Sequence, residues 1–330
     1  MNKSKVVVVE KEKKKPEHGF KRKTIIQNIS RKMDRWIKSI EDEELREKVK
    51  LDYIVTGGAI ASMLLGELPN DYDVYFKTPE VALALVKYYF NRLIPDNTKV
   101  GRIDAKIVGN SIKVLIKSVG IARSEDDNFK DYDYFEAGNG DNIESYLDKE
   151  SFKDKKHYTI AMISSNAISL HGDIQIITRF IGNPEEIHKN YDFVHVTNWY
   201  THTEGLVLYA DALEAILAKE LRYVGSLYPI CTMFRIKKFL QRGWSITAGE
   251  MLKIAWDINK LDLEDMGVFY EQLVGCDAAY FHEIIEILKK NIDRSLDRSY
   301  LHELINRVFD KKSEEIDEFH ELTEEFVSGE

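Results

Sequence analysis

Two short motifs constrain the fold of this chain more than any other feature of its sequence. The apolar segment at residues 51–56 ends at Gly57-Gly58, and small residues of helical character follow the glycines. After a Pro-Asn turn, Asp71 and Asp73 alternate with apolar residues, which is typical of a β-strand. The sequence therefore predicts a strand, a glycine turn, a short helix and a second strand in immediate succession.

The two glycines and the two carboxylates suit the binding of a metal-bound phosphate. Glycine lets the backbone approach an anion closely, so Gly57 and Gly58 are candidate nucleotide-binding residues, with Ser62 in the following helix as a third. Residues two apart on a strand project from the same face, so Asp71 and Asp73 are candidate metal ligands and catalytic residues. Two hard oxygen ligands beside a phosphate site favour Mg²⁺ or Mn²⁺ as the cofactor.

This succession resembles the core of the nucleotidyltransferase superfamily of DNA polymerase beta, which includes poly(A) polymerases, tRNA CCA-adding enzymes and relatives in phages and large viruses. The match spans about residues 50–245, and Ala59 stands where a serine is common. The resemblance implies an α+β fold, with a nucleotidyltransferase-type mixed β-sheet, flanking helices and a following α-helical domain. It also implies metal-dependent transfer of a nucleoside monophosphate from an NTP to an acceptor hydroxyl, with release of pyrophosphate.

Members of this superfamily usually carry a third catalytic carboxylate on a later strand. Asp173 opens an alternating Asp-Ile-Gln-Ile-Ile segment, and the alternation predicts that Asp173 and Gln175 share one face. Asp192 begins a second predicted strand at residues 191–197, after a short helix. The resemblance to viral relatives favours Asp192 as the third metal ligand, and Asp173 remains the alternative.

A basic stripe in the second half of the chain is the other candidate for phosphate binding. On a helix, Tyr228, Arg235, Lys238 and Arg242 fall at spacings that place them on one side. In related enzymes the helical domain lends cationic side chains to the triphosphate, so Arg235 and Lys238 are candidate nucleotide-binding residues. Lys219, one predicted helix earlier, is a weaker candidate of the same kind.

Composition and periodicity divide the chain into three parts. Residues 1–23 form a basic tail, predicted to be disordered because it offers little apolar surface to bury. Residues 24–205 form the predicted core, interrupted by an acidic, turn-rich insertion at 122–155. Residues 206–330 carry mostly helical periodicity and form the predicted α-helical domain. Within the core, residues 25–49 are predicted to form one long amphipathic helix.

The composition limits the classes of partner. Hydrophobic residues make up 44% and charged residues 31%, and the net charge of −9 argues against a chain built mainly to coat nucleic acid. No apolar run approaches the length of a membrane span, so no membrane partner is predicted. Cys231 and Cys276 are predicted to have no disulfide partner, which favours a cytoplasmic setting, the host cytoplasm for a viral protein.

Two functions remain open from the sequence. The first is the enzyme described above, with an NTP and an RNA, protein or small-molecule acceptor as its partners. The second is a catalytically inactive member of the superfamily that serves as a binding or structural protein, in a virus particle for example. Metal-dependent NTP binding is compatible with both functions, whereas release of pyrophosphate is expected only from the first.

Overall fold

The computed structural model describes most of the predicted core and the first part of the predicted helical domain. The described residues are 19–93, 103–116, 130–131, 158–164, 166–263, 265–273 and residue 306. Apart from residues 130–131, the predicted insertion at 122–155 lies outside them, as does the basic tail up to residue 18.

Helices and strands alternate irregularly along the described residues. The helices are α1 (Arg22–Lys38), α2 (Glu43–Asp52), α3 (Gly58–Leu64), α4 (Pro79–Leu93), α5 (Pro184–His188), α6 (Ala210–Ala218), α7 (Pro229–Gln241), α8 (Ala248–Ile258) and α9 (Met266–Leu273). The strands are β1 (Tyr53–Thr56), β2 (Tyr72–Phe76), β3 (Ile103–Val108), β4 (Ser111–Ile116), β5 (Lys130–Asp131), β6 (Ile160–Ile163), β7 (Ala167–Leu170), β8 (Ile174–Ile177), β9 (Trp199–Thr201), β10 (Gly205–Val207), β11 (Glu220–Leu221) and β12 (Ser245–Ile246).

A mixed seven-stranded sheet forms the centre of the fold, in the order β10-β9-β1-β2-β8-β7-β6. Strands β2 and β8 are parallel, and the other neighbours in this sheet are antiparallel. Strands β3, β4 and β5 form a separate small sheet, and β11 pairs with β12. The predicted α+β class, with a mixed sheet and flanking helices, is confirmed.

The two faces of β2 have different roles. Tyr72, Val74 and Phe76 are buried in the largest core cluster, which also contains the apolar sides of α1 and α4. Because side chains alternate along a strand, Asp73 and Tyr75 lie on the opposite face. There Tyr75 packs in a smaller cluster with residues of β1, α5 and β9. The sheet therefore buries one face in the core and turns the other toward the candidate site.

The single helix predicted at residues 25–49 is instead two helices, α1 and α2. Helix α1 ends at Lys38, and the Asp42 side chain begins α2 by accepting a hydrogen bond from the Leu45 backbone N–H at 3.0 Å. An aspartate at this position satisfies an N–H group that has no partner inside the helix. The apolar spacing continues through the break, which is why periodicity alone predicted one helix.

The strand predicted at residues 191–197 is wrong. Residues 192–194 instead bond to the chain after β11, where the Val224 backbone N–H donates to the Asp192 carbonyl at 2.9 Å. A 3₁₀ helix then follows at Val194–Val196. The alternating apolar pattern is real, but it buries Phe193 and His195 against residues of the second half of the chain rather than in the main sheet.

The second half of the described chain is mostly helical, as predicted, with short strands added. Lys219 adopts a left-handed conformation with φ of 48° that ends α6, and β11 follows directly. The bounds of α7 and α8 agree with the helical periodicity of the sequence. Helix α9 was not predicted.

The prediction that Cys231 has no disulfide partner is wrong. Cys231 is disulfide-bonded in the structure, on the buried side of α7. The only other cysteine in the sequence, Cys276, lies outside the described residues. Separation along the sequence does not limit which residues the fold brings together.

Candidate metal and nucleotide site

Gly57 brings the glycine turn into direct contact with the acidic strand. Thr56, the last residue of β1, is paired with Asp73 on β2. Gly57 follows with φ of 95° and ψ of −151°, a region that only glycine adopts readily. A Cβ atom at Gly57 would lie 2.9 Å from the Asp73 Oδ2 atom, whereas one at Gly58 would meet nothing within 4 Å. Glycine is thus required at Gly57 by conformation and by the closeness of Asp73.

We expect Gly57→Ala to lower the free energy of unfolding by about 2–3 kcal/mol, because alanine is strained at this φ and its methyl group displaces the Asp73 carboxylate. Gly58→Ala is the matched control, since this position is exposed and begins a helix that alanine favours. Chemical denaturation of the two variants measures the difference. Equal stability would contradict the requirement at Gly57.

Asp71 and Asp73 are brought together, as the alternation predicts. Burial, and then the neighbouring charge of Asp71, raise the pKa of Asp73 to about 8. Like charges that share a partly buried site hold a proton unless a cation neutralises them. Two carboxylates at the start of one strand therefore fit a hard divalent cation, which would be held by Asp71 and Asp73.

Three further side chains lie beside Asp73 on the same face. Burial raises the pKa values of the Tyr75 and Tyr191 hydroxyls, and the Asp73 charge raises them further. The Thr56 hydroxyl donates to the Asn198 carbonyl at 2.9 Å and lies 2.9 Å from the His188 Nε2 atom. These residues were not predicted, since contacts between distant parts of the chain leave no local pattern in the sequence.

Asp192 has a different environment from that of a metal ligand in an acidic cluster. Its side chain is 7% exposed, accepts a hydrogen bond from the Ser226 hydroxyl at 2.8 Å and forms an ion pair with the Arg235 guanidinium. Burial raises the pKa of Tyr75, and the charge of Arg235 offsets part of this rise, so Arg235 acts on the residue that follows Asp73 on the same face. Asp192 thus holds Arg235 at the edge of the site.

Asp173 lies on the other face of the sheet. It has φ of 57°, which breaks the strand alternation just before β8, so Asp173 and Gln175 do not share the predicted face. Its carboxylate is 2.9 Å from the Nζ atom of Lys32 on α1, and that ammonium lies over the Tyr72 ring. Among the residues that the structure describes, no three His, Cys, Asp or Glu side chains form a group that could hold a metal ion.

The register of the sheet places Gln175 next to Asp73. Strand β8 is parallel to β2, with Asp73 paired to Gln175, and β7 continues the row with Ser169 paired to Gln175. Together with Thr56 on β1, these side chains form a row across four adjacent strands, which we call the polar row (Thr56, Asp73, Gln175 and Ser169). The sequence offered no signal for it, because parallel pairing joins segments far apart in the chain.

The basic stripe on α7 faces the core at two of its positions. Arg235 pairs with Asp192, and the Arg242 Nη2 atom lies 2.5 Å from the Glu67 Oε2 atom, in the loop that precedes Asp71. Lys238 lies between these two cations on the helix and is exposed. The stripe therefore runs along the contact between α7 and the core, and two of its charges are engaged in ion pairs there.

The other predicted nucleotide-binding residues, Ser62 and Lys219, make main-chain hydrogen bonds that shape the neighbouring segments. Ser62 is half-buried in α3, and its carbonyl accepts from the Glu67 backbone N–H at 2.9 Å. Lys219 is half-buried at the end of α6, where its carbonyl accepts from the Ser245 backbone N–H at 2.8 Å. Their main chains support the loop and the strand that follow.

His195 is buried against aromatic side chains on α7 and just after it, and we expect it to make the stability of the protein depend on pH. It is 1% exposed, and its ring is enclosed by Phe193, Phe239 and Trp244. Neither ring nitrogen has a hydrogen-bond partner among the described residues. Burial, and then the charge of Arg242, lower its pKa to about 3.

His195→Leu should remove this dependence. A depressed histidine pKa means that the unfolded chain binds the proton first, so stability falls as pH drops from about 6.5 toward 3. Relative to wild type, the leucine variant should gain about 1–3 kcal/mol between pH 7 and pH 4, and denaturation at several pH values measures this. A parallel loss in both proteins would show that other groups cause the acid sensitivity.

Comparison with known proteins identifies the family of the chain. The sequence profile of the Gabija anti-defense 2 family matches residues 27–219, which is more than half of the chain. The chain belongs to the Gabija anti-defense 2 family. No curated protein sequence is similar enough to count as a relative.

Solved structures similar to this chain include CCA-adding enzymes and a tRNA nucleotidyltransferase. They include the CCA-adding enzyme of Thermotoga maritima complexed with tRNA (12% identity, TM-score 0.37, 78% of this chain and 53% of that one). The CCA-adding enzyme of Bacillus stearothermophilus with CTP has 16% identity and a TM-score of 0.33, over 77% and 51% of the two chains. A tRNA nucleotidyltransferase with a primer tRNA and an ATP analogue has 14% identity and a TM-score of 0.35, over 76% and 60%.

The chain thus spans about half to three-fifths of the length of these structural neighbours. None of the helices in the described ranges is both long enough and apolar enough to cross a bilayer.

Proposed function

We propose that this protein binds a metal–NTP complex and transfers its nucleoside monophosphate to an acceptor hydroxyl, with release of pyrophosphate. The observation that carries the proposal is the direct approach of Gly57 to the Asp73 carboxylate, which shares its site with Asp71. This juxtaposition joins a close backbone approach to a pair of hard oxygen ligands. It therefore suits a triphosphate that arrives with a divalent cation.

The residues of the site have distinct roles in this proposal. Asp71 and Asp73 would hold the cation, which when bound would offset the negative charge of the phosphate oxygens and make the attacking hydroxyl easier to deprotonate. Gly58, where an added Cβ would meet nothing within 4 Å, leaves room for the triphosphate, and Gly57 lets the Asp73 carboxylate lie against the turn. Arg235, held by Asp192, adds positive charge near Tyr75, two residues after Asp73 on the same face. Lys238 lies three residues further along α7 and is exposed. Position and charge, rather than covalent chemistry, are what the chain supplies.

A specific observation favours a second function, nucleotide binding without transfer. The position paired with Asp73 on the neighbouring parallel strand holds the amide of Gln175 rather than a carboxylate. Asp192 and Asp173 are each paired with a cation. A site with two carboxylates has less negative charge to hold a second metal, and this would favour retention of the nucleotide over its conversion.

The name of the family connects the site to a biological role. We propose that this chain counters the Gabija defence, as the family name states, and acts in the cytoplasm of the cell that carries this defence. Acceptors for transfer would then include nucleic acid or protein components of that cell. The Asp71/Asp73 site connects this role to the proposed reaction. Countering the defence by nucleotidyl transfer requires the two carboxylates, whereas countering it by surface contact with a partner protein does not.

One assay separates the two functions. The protein is incubated with each labelled NTP and Mg²⁺ or Mn²⁺, with and without RNA and cell protein, and labelled products and pyrophosphate are measured. Transfer predicts a labelled acceptor and stoichiometric pyrophosphate, both lost in Asp71→Ala/Asp73→Ala. Binding without product in wild type, lost in the same variant, supports the second function. Absence of both binding and product would refute the site.

A further inference from the structure

The register of β2 and β8 supports one further inference about the proposed site. This inference rests on the function proposed above. Neighbouring strands lie about 4.8 Å apart, and paired residues on parallel strands point to the same face. Gln175 is paired with Asp73. Its neighbours Ile174 and Ile176 are fully buried in the main core cluster, so Gln175 faces the Asp73 side of the sheet, where it is half-buried.

We infer that Gln175 is the third side chain of the metal site and that its neutral amide makes metal binding depend on the incoming triphosphate. A glutamine carbonyl oxygen is an acceptable ligand for a hard divalent cation, but it brings no charge. Two carboxylates and one neutral amide fill only part of the coordination shell of the cation, and phosphate oxygens would supply the remaining charged ligands.

Neither of the other two candidate carboxylates, Asp173 and Asp192, occupies the position beside Asp73 that Gln175 has. Asp173 is turned to the opposite face by its left-handed backbone and pairs with Lys32. Asp192 is buried in an ion pair with Arg235 and also accepts the Ser226 hydroxyl. Each of these carboxylates already has a cation beside it, so recruiting either to a metal would first break an existing ion pair.

The test measures Mn²⁺ binding from the signal of free Mn²⁺ in electron paramagnetic resonance, without nucleotide and then with a non-hydrolysable ATP analogue. Wild type should bind Mn²⁺ weakly alone and at least ten-fold more tightly with the analogue. Gln175→Glu keeps the shape and adds one charge, so it should tighten nucleotide-free binding by at least ten-fold. Gln175→Ala should weaken Mn²⁺ binding in the presence of the analogue several-fold. Circular dichroism checks that the variants are folded.

Gln27→Glu is the matched control, because it makes the same change at an exposed position on α1, which packs on the opposite face of the sheet. Unchanged Mn²⁺ affinity in Gln175→Glu, or an equal gain in Gln27→Glu, would overturn the inference. Asp73→Asn separates this failure from failure of the proposed function. If Asp73→Asn weakens Mn²⁺ binding while Gln175→Glu has no effect, only the inference fails. If Asp73→Asn also has no effect, the proposed site fails with it.

Discussion

Asp71→Ala/Asp73→Ala should abolish metal-dependent nucleotide binding, with a loss of affinity of at least a hundred-fold, and leave the protein folded. The expected loss follows from the site itself, since the Asp73 carboxylate lies beside Gly57 and the charge of Asp71 acts on it. Burial, and then the charge of Asp71, raise the pKa of Asp73 to about 8, so two charged carboxylates are unfavourable here without a metal. Removing it should leave the melting temperature of the metal-free protein unchanged or raise it.

Calorimetric titration of each NTP in Mg²⁺, together with thermal melting in EDTA, measures both parts of this result. Asp173→Asn is the matched control, because it removes an aspartate on the opposite face that pairs with Lys32. The control should bind nucleotide like wild type. Undiminished Mg²⁺-dependent nucleotide binding in the double variant would contradict the assignment of Asp71 and Asp73 as metal ligands.

The second large effect concerns the ion pair between Asp192 and Arg235. Asp192→Ala should lower the free energy of unfolding by about 2–3 kcal/mol, somewhat below the range for fully buried pairs because the Arg235 side chain is 39% exposed. The substitution removes the carboxylate that pairs with the guanidinium and that accepts from the Ser226 hydroxyl. A metal ligand behaves differently, since its removal lowers metal affinity and relieves repulsion in the apo protein.

A double-mutant cycle makes this prediction specific. Arg235→Ala should also destabilise the protein, because it leaves the buried Asp192 carboxylate with only the Ser226 hydroxyl as a described donor. The double variant should cost less than the sum of the two single variants, with a coupling of about 1–3 kcal/mol. Additive losses, or an Asp192→Ala variant of wild-type stability with lost Mn²⁺ affinity, would instead support Asp192 as the third metal ligand.

The local part of the site could be predicted from the sequence. A strand, a glycine turn, a short helix and an acidic strand occupy one continuous segment, and each has a strong local signal. The closeness of Gly57 to Asp73 then follows from the antiparallel pairing of β1 with β2. Burial and alternation act over a few residues here, so the pattern of the sequence was sufficient.

The surroundings of the site could not be predicted, because they depend on pairing between distant segments. The position of Gln175 follows from the parallel register of β2 and β8, which no local pattern specifies. Asp173 departs from the alternation through a single left-handed residue. Asp192 was assigned to a strand because Phe193 and His195 alternate with other residues, but both are buried by side chains from the second half of the chain.

The central claim is that Asp71 and Asp73 hold a divalent cation together with a triphosphate at Gly57 and Gly58. The most direct measurement is a crystal structure with Mn²⁺ and a non-hydrolysable ATP analogue, with anomalous scattering to locate the metal. The account predicts a Mn²⁺ peak in contact with both carboxylates and triphosphate density beside the two glycines. A Mn²⁺ peak elsewhere, or nucleotide bound away from these residues, would contradict it.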